Sequence, residues 1–236
     1  MISLERRGGR PLRIGHRGAA MLAPANTLRS LRAALETGVD LIEFDVVSGL
    51  GGELVVAHSR HEIEPETPTL EAVLAFFVDE ARETGLHLDL KEFGLELEAV
   101  EALRRHGLVD RAFVSSVYIR TSRRIAKLGG IRAGITIPRG VLGISDDGRG
   151  APIARAGLRL FRFATPFVVR PLLRLTRSSA VVMHHSIVTE ASVKAVHARG
   201  AAVVCWTVDD PAELGRVDAA GVDAVVTNDP RLFASI

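Results

Sequence analysis

Short apolar runs alternate with longer amphipathic segments along nearly the whole chain, and this rhythm constrains the fold more than any other feature. LRIG, DLIEFDV, LHLDLK, AFVSS, IRAGITI, AVVMH, AAVVCW and DAVVT make eight strand candidates, and ELVVAH reads as a local addition after the second. Helical patterns separate them. Thr27 can cap LRSLRAALETG, whose Leu28, Leu31, Ala34 and Leu35 share one face and whose Gly38 ends it. A second helix is predicted from about Thr69 to Thr84, with Leu70, Val73, Leu74 and Phe77 as its apolar stripe. LELEAVEALRRHG, YIRTSRRIAKLG, the stretch around EASVKAVHARG and Pro211 to Ala220 continue the series.

Strands joined through helices imply a parallel sheet with right-handed crossovers. Eight such units close most naturally into a (β/α)8 TIM barrel, and 236 residues suit one. The rival is an open, doubly wound sheet. Polar residues recur at the C-terminal ends of several strands around the whole chain, and only a closed ring converges them on one mouth. The expectation is a single catalytic domain over residues 1–236, with no linker and one basic, apolar excursion at about 138–179.

Apolar residues form 47% of the chain and charged residues 25%, as in soluble globular proteins. Cys205, the only cysteine, lies in an apolar run and excludes an intrachain disulfide. MISLERRGGRPLRIGHRGA lacks the apolar segment of a secretory signal, and no run reaches the roughly 18–20 apolar residues of a membrane span. A cytoplasmic location is the expectation. The net charge of +2 mildly favours an anionic partner and does not argue for nucleic acid.

Alternation along IEFDV puts Glu43 and Asp45 on one side of a strand and Ile42, Phe44 and Val46 on the other. In LHLDLK it pairs Asp89 with Lys91. Buried carboxylates are costly unless paired or bound to a cation. One reading is ion pairing with Arg17 or Lys91 inside the barrel. The other is a hard-cation site, Mg²⁺ or Ca²⁺, with Glu43, Asp45 and Asp89 as oxygen ligands.

His16 follows LRIG and His58 closes ELVVAH, so two imidazoles flank the carboxylate strand. A solvated loop histidine is the plain reading of either alone. Together they can supply a general base and a general acid, and Arg17 and Lys91 add positive charge where a phosphoryl group develops negative charge. Metal, acid, base and cation describe phosphodiester cleavage better than redox or glycosyl chemistry. His61 and His197 read as surface residues, His106 as a helix-end residue and His87 as the start of a strand, while His184 or His185 could face the mouth.

GHRGA, APANT, IEFDV, VVAHS, LHLDLK and the late WTVDD…GVDAVVTNDP occur in the order that resembles the glycerophosphodiester phosphodiesterase family, similar in barrel to the phosphatidylinositol phosphodiesterases. The resemblance implies a hydrolase of lipid and glycerol metabolism that uses a divalent cation to split a glycerophosphodiester into glycerol 3-phosphate and an alcohol. It implies His16 and His58 as the acid/base pair, Glu43, Asp45 and Asp89 as metal ligands, Arg17 and Lys91 on phosphate, and Trp206 as a wall of the substrate cleft. Three departures stand out. Ala25 replaces a carboxylate in the first loop, Ser59 replaces an acid after the second histidine, and Asp89 stands where glutamate is usual. In addition, RHEIEPETP is much shorter than the usual insertion after the second histidine, so this is a compact member. Lysophospholipid or sphingomyelin-like substrates form one alternative, and a barrel that binds phosphoesters without turning them over forms another.

Between Gly148 and Thr189 there is no acidic residue but there are seven arginines: Arg149, Arg155, Arg159, Arg162, Arg170, Arg174 and Arg177. Pro166 and Pro171 are expected to break this segment into short helices or loops. Its plainest role is amphipathic cover for the barrel, with arginines snorkelling from an apolar face. Peripheral contact with lipid headgroups and a homodimer surface are the other readings, and nucleic acid is not expected.

Overall fold

The alternation resolves into a closed barrel in the computed structural model, which describes residues 1–137 and 152–235. Its parallel strands are β1 (Leu12–Gly15), β2 (Leu41–Ser48), β4 (Gly85–Leu90), β5 (Ala112–Ser116), β6 (Arg132–Ile137), β7 (Ala180–His184), β8 (Ala202–Trp206) and β9 (Ala224–Thr227). They follow the order β1-β9-β8-β7-β6-β5-β4-β2, and pairing of β1 with β2 closes the ring. The extra strand β3 (Leu54–Val55) lies antiparallel on the end of β2, the local addition expected of ELVVAH. Among the described residues, seven α-helices surround the ring: α1 (Leu28–Glu36), α2 (Leu70–Asp79), α3 (Glu96–Arg105), α4 (Ile119–Leu128), α5 (Pro152–Thr176), α6 (Glu190–His197) and α7 (Pro211–Ala219). The fold is a (β/α)8 TIM barrel.

The two faces of each strand bury different things. Ile42, Phe44 and Val46 of β2 pack outward with Leu31, Ala34, Leu74 and Phe77 of α1 and α2. Inside the ring, Leu12, Ile14, Phe113, Val182, Val204 and Val226 fill the lower layers. His16 follows Leu12 and Ile14 along the same face, so it lies one layer above this plug. Parallel register sets Glu43 opposite His87 and Asp45 opposite Asp89. Polar side chains thus gather at the C-terminal end of the strands.

Thr27 caps α1 through the Ser30 main-chain N–H, and Gly38 follows its end in the left-handed region at φ 71°. The helix α2 stops at Asp79 rather than near Thr84. Beyond it the chain turns into β4, and the Arg111 guanidinium takes the carbonyls of Ala81 and Thr84, which removes the need for further helical turns.

Pro166 and Pro171 do not break the middle segment; both lie inside α5, a continuous helix of 25 residues. Each proline forfeits one hydrogen bond. The buried line of Thr165, Val169, Leu173 and Thr176 holds the helix on the barrel across both positions. The Thr165 and Thr176 hydroxyls also donate to the carbonyls four residues back, Phe161 and Leu172. The excursion expected at 138–179 is therefore this helix from Pro152 onward, while residues 138–151, Arg149 among them, lie outside the described residues.

Candidate active site

The loop after β1 has an unusual backbone. Arg17 and Gly18 are both left-handed, with φ 51° and 84°, and a side chain at Gly18 would collide with Ser30 of α1. This tight turn aims two main-chain donors at β2: Arg17 N–H donates to Glu43 Oε2 at 2.8 Å and Gly18 N–H to the Glu43 carbonyl at 3.0 Å. The Arg17 side chain swings over the mouth, its Nε 2.9 Å from Asp45 Oδ2 and its Nη2 2.9 Å from His58 Nδ1. The missing first-loop carboxylate at Ala25 therefore does not leave Arg17 free, because Asp45 holds it.

Asp45 is fully buried and is the hub of the site. Lys91 Nζ lies 2.7 Å from its Oδ1, His58 Nδ1 lies 3.2 Å from its Oδ2, and Asn26 Nδ2 donates to the same Oδ2 at 3.0 Å. Burial opposes its ionisation, but the His58 hydrogen bond and the charges of Lys91 and Arg17 prevail and hold the carboxyl far below its usual range. Asp89 receives a hydrogen bond from Ser115 Oγ at 2.6 Å and also touches Lys91 Nζ. Its acidity is likewise strengthened, Lys91 outweighing burial. Lys91, bridging two carboxylates, is held above its ordinary value despite its own burial.

Glu43 differs. Burial first, and then the Asp45 charge, push its carboxyl well above the ordinary range. Carboxylate oxygens of Glu43, Asp45 and Asp89 lie within 4.8 Å of one another. Among the described residues, three carboxylates face two side-chain cations, and Glu43 is left without one of its own. A divalent ion with oxygen ligands fits this set, both in donor chemistry and in the positive charge the cluster lacks. Of the two readings of these residues, pairing and metal binding, the geometry shows the pairing and leaves room for the second.

His16 is held by a chain of side chains. Asp209 accepts from Asn228 Nδ2 at 2.6 Å, and this fixes the amide so that its Oδ1 faces His16 Nδ1 at 2.7 Å. A carboxylate only accepts and an amide oxygen only accepts, so His16 carries its proton on Nδ1. Its Nε2 then points an open lone pair into the site, 3.9 Å from Glu43 Oε2. Burial, and then the Arg17 charge, lower its basicity and keep the ring neutral. His58 Nε2 has no partner among the described residues, and this side chain is 42% exposed at the rim.

His16, Arg17, Glu43, His58, Asp89, Lys91 and Trp206 all line one cavity of about 230 Å³, with Asp45 bonded beneath them. The sequence reading thus brought together the residues that the fold brings together. It passed over His87, whose Nε2 lies 2.9 Å from Ser115 Oγ and whose ring, brought to about 4 by burial, is neutral. It also gave no role to Asn26, Asp209, Asn228 or Ser115. Period-two alternation from Asp89 could have found His87. The others act through partners remote in sequence. His184 does not line the cavity; its ring stands edge-on to Trp206 at 5.3 Å. Ser59 donates to Glu62 at 3.3 Å and opens a short turn at the rim.

A family model for the glycerophosphoryl diester phosphodiesterase family matches residues 16–85 and 60–232. The chain belongs to this family. Among its curated relatives, a glycerophosphodiester phosphodiesterase of Caldanaerobacter subterraneus is 23% identical over 94% of this chain and 96% of its own length. Glycerophosphodiester phosphodiesterase GDPD4 of Arabidopsis thaliana is 26% identical over 96% of this chain and 73% of its own. Of solved structures, a glycerophosphoryl diester phosphodiesterase from Silicibacter pomeroyi superposes with a TM-score of 0.77 at 19% identity, covering 98% of this chain and 96% of that one. A phosphodiesterase from Oleispira antarctica, solved with its product sn-glycerol-3-phosphate, gives 0.72 at 23% identity and 96% coverage of both. These likenesses bear on the fold. Membership of the glycerophosphoryl diester phosphodiesterase family makes this chain an enzyme, a phosphoric diester hydrolase.

Proposed function

We propose that this enzyme hydrolyses a glycerophosphodiester to glycerol 3-phosphate and an alcohol, with His16 and His58 as its proton-transfer pair. The observation that carries the reading is that both imidazoles, three carboxylates and two cationic side chains line or underlie one small cavity. At about 230 Å³ it is smaller than the roughly 300–1,000 Å³ of larger ligand sites, and suits a compact headgroup.

The residues divide the work. His16, neutral and with Nε2 open, takes the proton of the attacking hydroxyl, from water or from a neighbouring hydroxyl of the substrate. His58, at the exposed rim with Asp45 behind it, delivers a proton to the departing alkoxide. One P–O bond forms and one breaks, and a proton moves from the nucleophile to His16 and from His58 to the leaving alcohol. Arg17 and Lys91 stabilise the charge on the non-ester oxygens. Glu43, Asp45 and Asp89 would hold Mg²⁺ or Ca²⁺, which supplies further charge stabilisation there. Lys91 neutralises two of these same carboxylates, so its ammonium and a cation compete for them.

The cavity also suits a polyol. His87 Nδ1, Thr136 Oγ1 and Trp206 Nε1 are buried polar atoms without a partner among the described residues, and all three residues line it. An acceptor, a hydroxyl and a donor set among Val117, Val182 and Val226 match a short chain that carries hydroxyls. Trp206 is then both a wall and a donor. Activity measured over glycerophosphodiesters, lysophospholipids and an aryl phosphodiester, with direct detection of glycerol 3-phosphate, tests the reading. Preference for the first class supports it. Turnover of the lysophospholipids alone replaces the substrate, and absence of turnover with any of them leaves a phosphoester-binding barrel.

A further inference from the structure

From Arg159 onward the helix α5 is apolar on both sides, and only one of these is covered. Val169 and Leu173 face the barrel, whereas Leu160, Phe163 and Phe167 are 69%, 72% and 66% exposed. With Pro171, these outer residues recur at helical spacing and form one line. Phe163 and Phe167 sit with ring centroids 5.9 Å apart, and Val168 and Leu175 widen the strip. A line of this length on an otherwise charged surface marks a contact face rather than scattered exposure.

Charge limits what that contact can be. Arg159, Arg170 and Arg174 are exposed on the same helix, which has no acidic residue. The adjoining helix α4 adds exposed Arg120, Arg123 and Lys127, also without an acid. A second copy docked across a two-fold axis would set arginine against arginine. An anionic sheet with an apolar interior satisfies both the charges and the rings.

The helix is also well placed. Its C-terminal end leads into the start of β7, so its N-terminal part runs toward the mouth, and it touches the turn His185–Ile187 just past the end of β7. Its 25 residues span about 37 Å, against about 15 Å for the ten residues of α4. No helix among the described residues is long and apolar enough to cross a membrane, so α5 can lie only along one.

We infer that the exposed face of α5 is a docking surface for an anionic lipid bilayer. The rings of Phe163 and Phe167 insert among the acyl chains, and the arginines meet the headgroup phosphates. The inference stands apart from the catalytic reading, because none of the described side chains of α5 lines the cavity.

The test is sedimentation of the full chain with phosphatidylcholine vesicles and with vesicles that also contain about one-third phosphatidylglycerol, at low salt. Binding to the mixed vesicles and not to the neutral ones is expected. Joint replacement Phe163→Ser and Phe167→Ser should abolish it. Joint replacement of Arg159, Arg170 and Arg174 by Gln should weaken it about a hundredfold, since each arginine near an anionic leaflet contributes roughly fivefold. Turnover of a water-soluble diester should be unchanged in both variants. No sedimentation, equal binding to the two vesicle types, or full binding by the serine variant would overturn the proposal. So would a dimer in light scattering that the serine substitutions dissolve, which would make a second copy the occupant.

Discussion

Asp40 and Glu43 lie three residues apart in the chain, with side chains only 4% and 5% exposed, yet their surroundings shift their acidity in opposite directions. Asp40 stands at the floor of the barrel. There Arg10 Nη1 lies 2.8 Å away, the Arg13 main-chain N–H donates at 2.8 Å, and Arg7 Nη1 lies at 3.1 Å. Burial opposes its charge, but the Arg10 and Arg13 hydrogen bonds win and hold it below its ordinary 3.8. Glu43 stands at the mouth among other carboxylates and is pushed the other way. The floor has cations enough for its carboxylate and serves folding. The mouth does not, and that surplus negative charge is what a divalent cation could balance.

The contrast is most exposed to failure at the histidines. Replacing either His16 or His58 by Ala should lower kcat/KM by roughly 10²–10⁴-fold, with far-UV circular dichroism unchanged. A variant with near-normal turnover of the true substrate would remove that residue from the chemistry. Next, Asn228→Leu should lower activity about 10–100-fold, by analogy with the outer partners of metal-bound imidazoles, because the His16 tautomer is no longer fixed. ¹⁵N shifts of the His16 ring should move with it, and a silent ring would show that Asn228 acts only in packing.

At the floor the readout changes from rate to stability. Asp40→Asn should cost about 1–3 kcal/mol at pH 7 and leave turnover alone. Because Asp40 is more acidic when folded, this contribution is complete above its ordinary value and disappears as the pH falls below it through the depressed one. Urea melts of wild type and variant should therefore converge in acid and diverge at neutral pH. The smallest effect on stability is expected at Glu43. Glu43→Gln should be as stable as wild type, or slightly more so, in chelator. A melting loss there like that at Asp40 would end the distinction between the two ends.

The barrel was legible because each strand carries its own instruction. Runs such as LRIG, AFVSS and AVVMH begin and end at the strand boundaries, and alternation in IEFDV correctly turned Phe44 outward and Asp45 inward. Inward direction also gathers the candidate residues on one cavity, since the closed ring leaves inward groups at the strand tops one place to meet. What alternation cannot convey is which inward groups touch. The bonds of Asn26 to Asp45 and of Asn228 to His16 join segments 19 and 212 residues apart, and only closure of the ring brings them together. The helix α5 was missed for another reason. Local propensity counts the two prolines, but the buried line from Thr165 to Thr176 that outweighs them depends on the neighbouring barrel.

In the function proposed for the mouth, its three carboxylates would share one divalent cation on which catalysis depends. Titrating Mg²⁺ and Ca²⁺ into chelator-treated protein, while following heat and glycerol 3-phosphate release together, tests it most directly. One ion per chain is expected, with turnover of a glycerophosphodiester rising in step with occupancy and both signals absent in Glu43→Gln. Full turnover in excess chelator, or binding that Glu43→Gln leaves unchanged, would contradict it.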